Sequence, residues 1–301
     1  MTTATAPTEG TPTVPNATLT HQGEQKIRPD RRRTNWWLTA LVAALSLTIL
    51  VPLYFAIVTA FKTPPQLAES GFGLPPQWNL ENFKQAWQVT DFPARLMTSA
   101  IITAGAVVLT LLTNSMVAYA LASNLERRGF KLLYYYFIAA LFIPFPIIML
   151  PVVKETALLG IDNEAGLILL YVVYGLAFNI MLYTSYLKSI PSELEESARI
   201  DGASTWTVFW RVIFPLLGPM NATVGILTCL WAWNDFLLPL VILSDPGTQT
   251  LPLAQYVFQG QFNTNYPTAF ASYLMAIAPM VLVYVISQKW VISGVMRGSQ
   301  R

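Results

Sequence analysis

Residues 193–219 read ELEESARIDGASTWTVFWRVIFPLLGP and put four acidic and two basic side chains into a chain that is otherwise overwhelmingly apolar. The stretch has its own helix grammar. Ser192 stands where a helix cap is needed, Glu195 three residues later completes a capping box, and Pro191 breaks from what precedes it. A short helix from Glu193 to about Ile200 follows, and Asp201-Gly202 is a turn signal, with the glycine able to take a positive φ that most residues resist. Ser204 or Thr205 can then cap a second helix ending near Pro215. On it Trp206, Phe209, Trp210 and Ile213 recur at helical spacing as an apolar stripe that must dock on something. Two covers are open to it: the protein's own helices with the lipid interface, or the groove of a partner.

What surrounds this stretch is built for lipid. The chain is 54% hydrophobic and 11% charged, with a mean hydropathy of +0.47, where an average soluble domain carries about 25% charge. Windows near residues 36–61, 94–123, 132–153, 165–187, 217–243 and 268–293 are each long and apolar enough to cross about 30 Å of hydrocarbon. The expected fold is all-α, a polytopic membrane protein with six transmembrane helices. Cationic residues gather at 26–33, 127–131, 188, 199, 211 and 289–301, whereas the opposite flanks keep Lys62, Lys84, Lys154 and Arg95. By the positive-inside rule both termini and the 193–219 loop are cytoplasmic, which agrees with an even number of spans.

The domains follow. Residues 1–35 form a disordered cytoplasmic tail, since the Thr, Pro and Ala of its first 25 residues show no hydrophobic periodicity; residues 36–295 form the membrane domain, and 296–301 a cytoplasmic tail. The Trp36–Phe61 run is too long and too far from Met1 for a secretory signal and is a retained first span. Between the first two spans, NLENFKQAW (79–87) is either an interfacial helix with Leu80, Phe83 and Trp87 on one side or an ordinary loop.

A single cysteine, Cys229, and a single histidine, His21, exclude a disulfide frame and a Cys/His metal site, and a net charge of +2 spread over no one face gives no case for nucleic acid. An intramembrane enzyme would need a nucleophile with a base, or a metal cluster, and the spans contain no histidine. Polar residues inside spans face a bundle interior or a water-filled path, which brings forward Asn114, Asn179, Asn234 and Asp235. Asp235 lies in WAWNDF, where Trp231 and Trp233 either stack on a sugar's apolar ring face or pack between helices and at the interface. Pro144, Pro146 and Pro151 make a straight third span untenable.

Glu196-Ser197-Ala198, three residues, Gly202, nine residues, then Val212-Ile213-Phe214-Pro215 resembles the EAA loop of ABC importer permeases, which reads E-A-A, x3, G, x9, I-x-L-P. Glu196, Ala198, Gly202 and Pro215 match; Ser197, Val212 and Phe214 depart by small changes. The resemblance widens to the MalG-like permeases of carbohydrate uptake through IPSELEESARIDGAS, FPLLGP, LWAWNDFLLPLVIL, TLPLAQYVFQGQF and TNSMVAYALA, in order, from about residue 36 to 295. The ending QKWVISGVMRG diverges from the family's glycine-rich one.

The resemblance implies a transport subunit without catalytic residues, forming half of the translocation pore for a carbohydrate such as maltose or trehalose, or else for a glycerol phosphate ester or other polar solute. Its cytoplasmic coupling helix would sit in a cleft of a separate ATP-hydrolysing subunit. Glu195, Glu196 and Asp201 would face a basic rim, Ala198, Gly202 and Ala203 would permit close approach, Trp206 and Phe209 would anchor, and Pro215 would close the motif. Asn114, Asn179, Trp233, Asn234 and Asp235 would border the path. The chain lacks the phosphate-cradling G-x4-G-K-[ST], so it would bind no cofactor, with ATP and Mg left to a dimeric partner. A second permease, an extracytoplasmic solute-binding protein, the sugar and the lipid bilayer complete the expected partners at the inner membrane. An ion-coupled carrier is the competing reading, and it leaves the EAA-like loop unexplained.

Overall fold

The computed structural model describes the backbone of residues 35–258 and 265–298, and side chains as far as Ile286. The tail expected at 1–35 lies outside the described residues but for Asn35, as do 259–264 of the TLPLAQYVFQGQF segment and the last residues of the 296–301 tail. The chain divides at Thr48 into two units, Met1–Thr48 and Ile49–Arg301. Apolar helix α1 (Trp36–Ala60) crosses the division; of the first unit, only this helix and Asn35 are described.

In the second unit α2 (Pro64–Glu69) and α3 (Glu81–Val89) are short, and α4 (Phe92–Ala122) is the first long helix. Then come α5 (Arg128–Ala139), α6 (Phe145–Leu159), α7 (Glu164–Leu187), α8 (Glu193–Ile200), α9 (Thr205–Leu216), α10 (Gly218–Asn234), α11 (Leu237–Ile242), α12 (Leu251–Ala254) and α13 (Tyr266–Gly298). The fold is all-α, with α4 lying along α7 and α10 crossing both α4 and α13. Small residues let the helices approach: Ala106 and Ala118 of α4 and Ala232 of α10 are fully or almost fully buried.

Among the described residues four helices, α1, α4, α7 and α13, are long and apolar enough to cross a bilayer, and the number rises to six if each of two bent pairs is one span. The span expected at 132–153 is one such pair, its halves meeting at 106°. Pro144 forces Ile143 into extended backbone (φ −95°, ψ 108°) and has no N–H to continue the helix, so α5 stops and α6 restarts with Pro146 in its first turn. The other pair is α9 with α10, bent by 76°. Apart from that pair, the span expected at 217–243 is itself broken after Asn234. Asp235 is extended (ψ 133°) and its carboxylate Oδ1 accepts the Leu237 N–H at 3.1 Å, starting α11.

Of the 79–87 segment, Glu81 onward is helical, within α3. Ala86 is fully buried and Phe83 rings against Phe61 at 5.0 Å, whereas Leu80 and Trp87 stay exposed. Asn82 pins α3 by donating to the carbonyls of Ala60 and Lys62, both at 2.8 Å.

Candidate functional site: an exposed helical loop and a cavity between helices

The 193–219 stretch is two helices joined at a turn. At its centre Gly202 has φ +83°, and no atom lies within 4 Å of where a side chain would begin. The glycine is required by the backbone alone. The Gly202 N–H returns to the Arg199 carbonyl and the Ala203 N–H to Ala198, both at 3.0 Å, which is the paired closure of a Schellman turn. Ser204 caps α9, its Oγ accepting the Thr207 N–H at 3.2 Å.

The expected capping box at Ser192 does not form. Ser192 is already helical (φ −66°, ψ −25°) and makes no side-chain cap bond, while the carboxylate of Glu195 turns to Tyr119 and Arg199. Tyr119 Oη donates at 2.7 Å and Arg199 Nη2 at 2.6 Å to the same Oε1. The bond to Glu195 raises the pKa of Arg199 further above its ordinary value, so it stays charged. Sequence spacing gave no sign of Tyr119, which lies 76 residues upstream.

The apolar stripe of α9 divides. Phe209 and Ile213, each 3% exposed, are buried with Tyr119, Ile180 and Tyr183 under the ends of α4 and α7. Phe209 therefore faces the membrane helices, and its expected place as a surface anchor is corrected: the helix widens over Phe209–Ile213, with Phe214 N–H reaching the carbonyl of Phe209, just before Pro215, which has no N–H. Trp206 remains 62% exposed, with Ile200 at 86% on the other side of the turn. Glu196 and Asp201 are exposed beside them, and Ala198 and Ala203 are partly covered. Ile200 escaped the sequence reading because an isolated apolar residue at a helix end carries no periodic signal.

The polar residues within the helices fall into separate groups. Asn114 is fully buried and donates to the Val172 carbonyl at 3.3 Å. Asn179 is 3% exposed, and its Nδ2 has no hydrogen-bond partner among the described residues. A methyl group at Gly175 would lie 3.1 Å from Asn179 Nδ2, 3.8 Å from Trp231 and 3.9 Å from Asn114 Nδ2, so these residues converge. A cavity of about 320 Å³ opens there, lined by Tyr174, Gly175, Phe178, Asn179, Thr228 and Trp231 among others. Asp235 accepts from Tyr171 Oη at 3.0 Å, and the Tyr171 ring meets Trp231 edge-on at 5.2 Å. Trp233 and Asn234 do not line this cavity. Trp233 is buried between helices and donates to the Ala276 carbonyl at 3.3 Å, and Asn234 turns back to the Leu230 carbonyl at 2.7 Å. Among the described residues no group of three or more His, Cys, Asp or Glu could hold a metal.

The chain has known relatives. Residues 114–297 match the family described as the binding-protein-dependent transport system inner membrane component. The chain belongs to that family. This permease is 36% identical over 276 residues, 91% of it and 99% of the relative, to the multiple sugar-binding transport system permease protein MsmG of Streptococcus mutans. It is 33% identical, over 87% of its length and 95% of the relative's, to a probable starch degradation products transport system permease protein, AmyC, of Thermoanaerobacterium thermosulfurigenes. The crystal structure of a bacterial ABC transporter that imports the acidic polysaccharide alginate shares the fold, with a TM-score of 0.75 at 23% identity over 84% of the permease and 95% of that chain. The permease is a multi-pass transport component of the inner membrane and not an enzyme.

Proposed function

We propose that this permease is the half-pore of an ABC importer for an oligosaccharide, driven by a separate ATP-binding subunit that docks on the 193–216 loop. The observation that carries the reading is the Gly202 turn, which holds Ile200, Trp206, Glu196 and Asp201 exposed on a chain of this family. Apolar anchors ringed by charge suit a groove with a basic rim. ATP and Mg belong to that partner, and a second permease and an extracytoplasmic solute-binding protein complete the assembly, with this loop and both termini cytoplasmic.

Sugar as the class of substrate is favoured by the names of the relatives, which cover multiple sugars, starch degradation products and melibiose, raffinose and stachyose. The cavity at Asn179 agrees with it. Asn179 and Thr228 beside the rings of Trp231 and Tyr174 supply polar groups for a hydroxyl and apolar faces for a pyranose ring. The test is purification of the tagged permease from its own membranes, with its companions identified and ATP hydrolysis assayed. An ATPase subunit and a second permease are expected in the eluate. Recovery of this chain alone, transporting solute without ATP after reconstitution, would replace the reading with a secondary carrier.

A further inference from the structure

Helix α8 has no buried residue, so apolar packing alone does not fix its register on the bundle. Its side-chain bonds are few: Ser197 returns to the Leu194 carbonyl at 3.1 Å and Arg199 to Glu195 at 2.6 Å, both within the helix. Among the described residues Tyr119 is where side chains of α8 bond to a long helix: its hydroxyl donates to Glu195 at 2.7 Å and also interacts with Arg199. Tyr119 is 5% exposed and its ring lies 5.4 Å from that of Phe209, so the hydroxyl is delivered by a side chain that packing already holds in place. Its acceptor is charged, which makes the bond stronger than one between neutral groups. Arg199 occupies the same oxygen from the exposed side, so Glu195 is not left as a bare charge at the bundle's edge.

Two further features bear on motion. A cavity of about 170 Å³ flanks the contact, lined by Tyr119, Ser123, Lys188, Ser192, Glu195 and Ile213 among others, so α8 is tied to the bundle here by the polar contact and not by continuous packing. Tyr119 also stands on the same helix as Asn114, five residues and about 7.5 Å of rise away. A helix transmits such a displacement as a rigid element.

We propose that the Tyr119 hydroxyl is the positioning contact that passes displacement of α8 to α4, and so from the exposed loop to the residues around the Asn179 cavity. The inference rests on the reading that an ATP-binding subunit docks on this loop. Removing the hydroxyl, as in Tyr119→Phe, keeps the ring against Phe209 and lets α8 move without α4.

The test uses the whole complex in lipid, with Cys229→Ser as background and spin labels at Ser197→Cys on α8 and Val108→Cys on α4, both exposed positions. The distance between the labels is measured with and without ATP, Mg and vanadate. The expected result is a constant distance in the parent and a nucleotide-dependent shift in Tyr119→Phe. ATP hydrolysis should stay within about twofold of the parent, because the residue touches no nucleotide, while any coupling lost is of the order of fivefold or more. Equal behaviour of the parent and Tyr119→Phe in an assembled, hydrolysing complex would overturn the inference alone. Absence of an ATPase subunit from the complex would overturn the functional reading with it.

Discussion

Gly202 and Asp235 each end a helix, and they do so by opposite means. The Gly202 turn is closed by residues no more than five positions away, stands exposed, and needs nothing from the rest of the molecule. The break at Asp235 is held by Tyr171, 64 residues upstream and fully buried. The loop's shape is local and survives displacement as a unit, whereas the break within the bundle adds to Asp235's own bond to the Leu237 N–H a tie that lasts only while α7 and α10 stay packed. A device that must be pushed from outside is well served by the first kind of turn, and a wall that must keep its form by the second.

The comparison can be broken most sharply at Asp235. Asp235→Ala leaves a buried tyrosine hydroxyl without its acceptor and strips the start of α11, an expected loss of about 3 kcal/mol. Asp235→Asn keeps an acceptor and should lose less than about 1 kcal/mol. Thermal unfolding of the purified protein in mild detergent measures both, and equal midpoints for the two variants would show that the break does not depend on Tyr171.

Trp206 reports on the loop from the other direction. Trp206→Ala is expected to leave unfolding within about 0.5 kcal/mol of the parent, because the side chain is mostly exposed. Affinity for the ATP-binding subunit should fall by about 2 kcal/mol, roughly thirtyfold. Titration of that subunit onto the reconstituted permease measures it, and undiminished binding would place the docking face elsewhere. Gly202→Val is next in size. With open space around the position, its cost is backbone strain of about 1–2 kcal/mol. Expression and membrane insertion should be normal and ATP-driven uptake lost; a variant with normal uptake at normal expression would show that the turn's geometry is not needed for coupling.

What the sequence made legible divides along the same line. The α8 helix, the positive φ at Gly202, the cap at Ser204 and the bent third span are all written in residues within a few positions of one another, and each follows from local backbone chemistry. The contacts that orient these pieces join distant positions: Tyr119 to Glu195, Tyr171 to Asp235, and Tyr183 to Asn221 at 2.8 Å. A tyrosine in an apolar helix gives no hint of which carboxylate or amide will meet it. For the same reason Trp231 and Trp233, two positions apart, could not be told apart until packing put Trp231 beside the Asn179 cavity and tied Trp233 to the Ala276 carbonyl.

The smallest expected effect separates a cap inferred from spacing from one made in space. Ser192 and Ser204 have equal claims by residue type, each standing just before a short helix. Ser204 adopts extended backbone and accepts the Thr207 N–H, so Ser204→Ala should cost about 1 kcal/mol. Ser192 is in helical backbone with no side-chain bond to its helix, so Ser192→Ala should be neutral to within about 0.5 kcal/mol. Amide hydrogen exchange across 193–208 resolves the two, with faster exchange at the start of α9 expected in the first variant and no change at the start of α8 in the second. Faster exchange at Glu195 and Glu196 in Ser192→Ala would mean that the capping box does form in the working protein. In that case Glu195 would divide its time between its own helix and Tyr119, and the tie to α4 would be one of two resting positions.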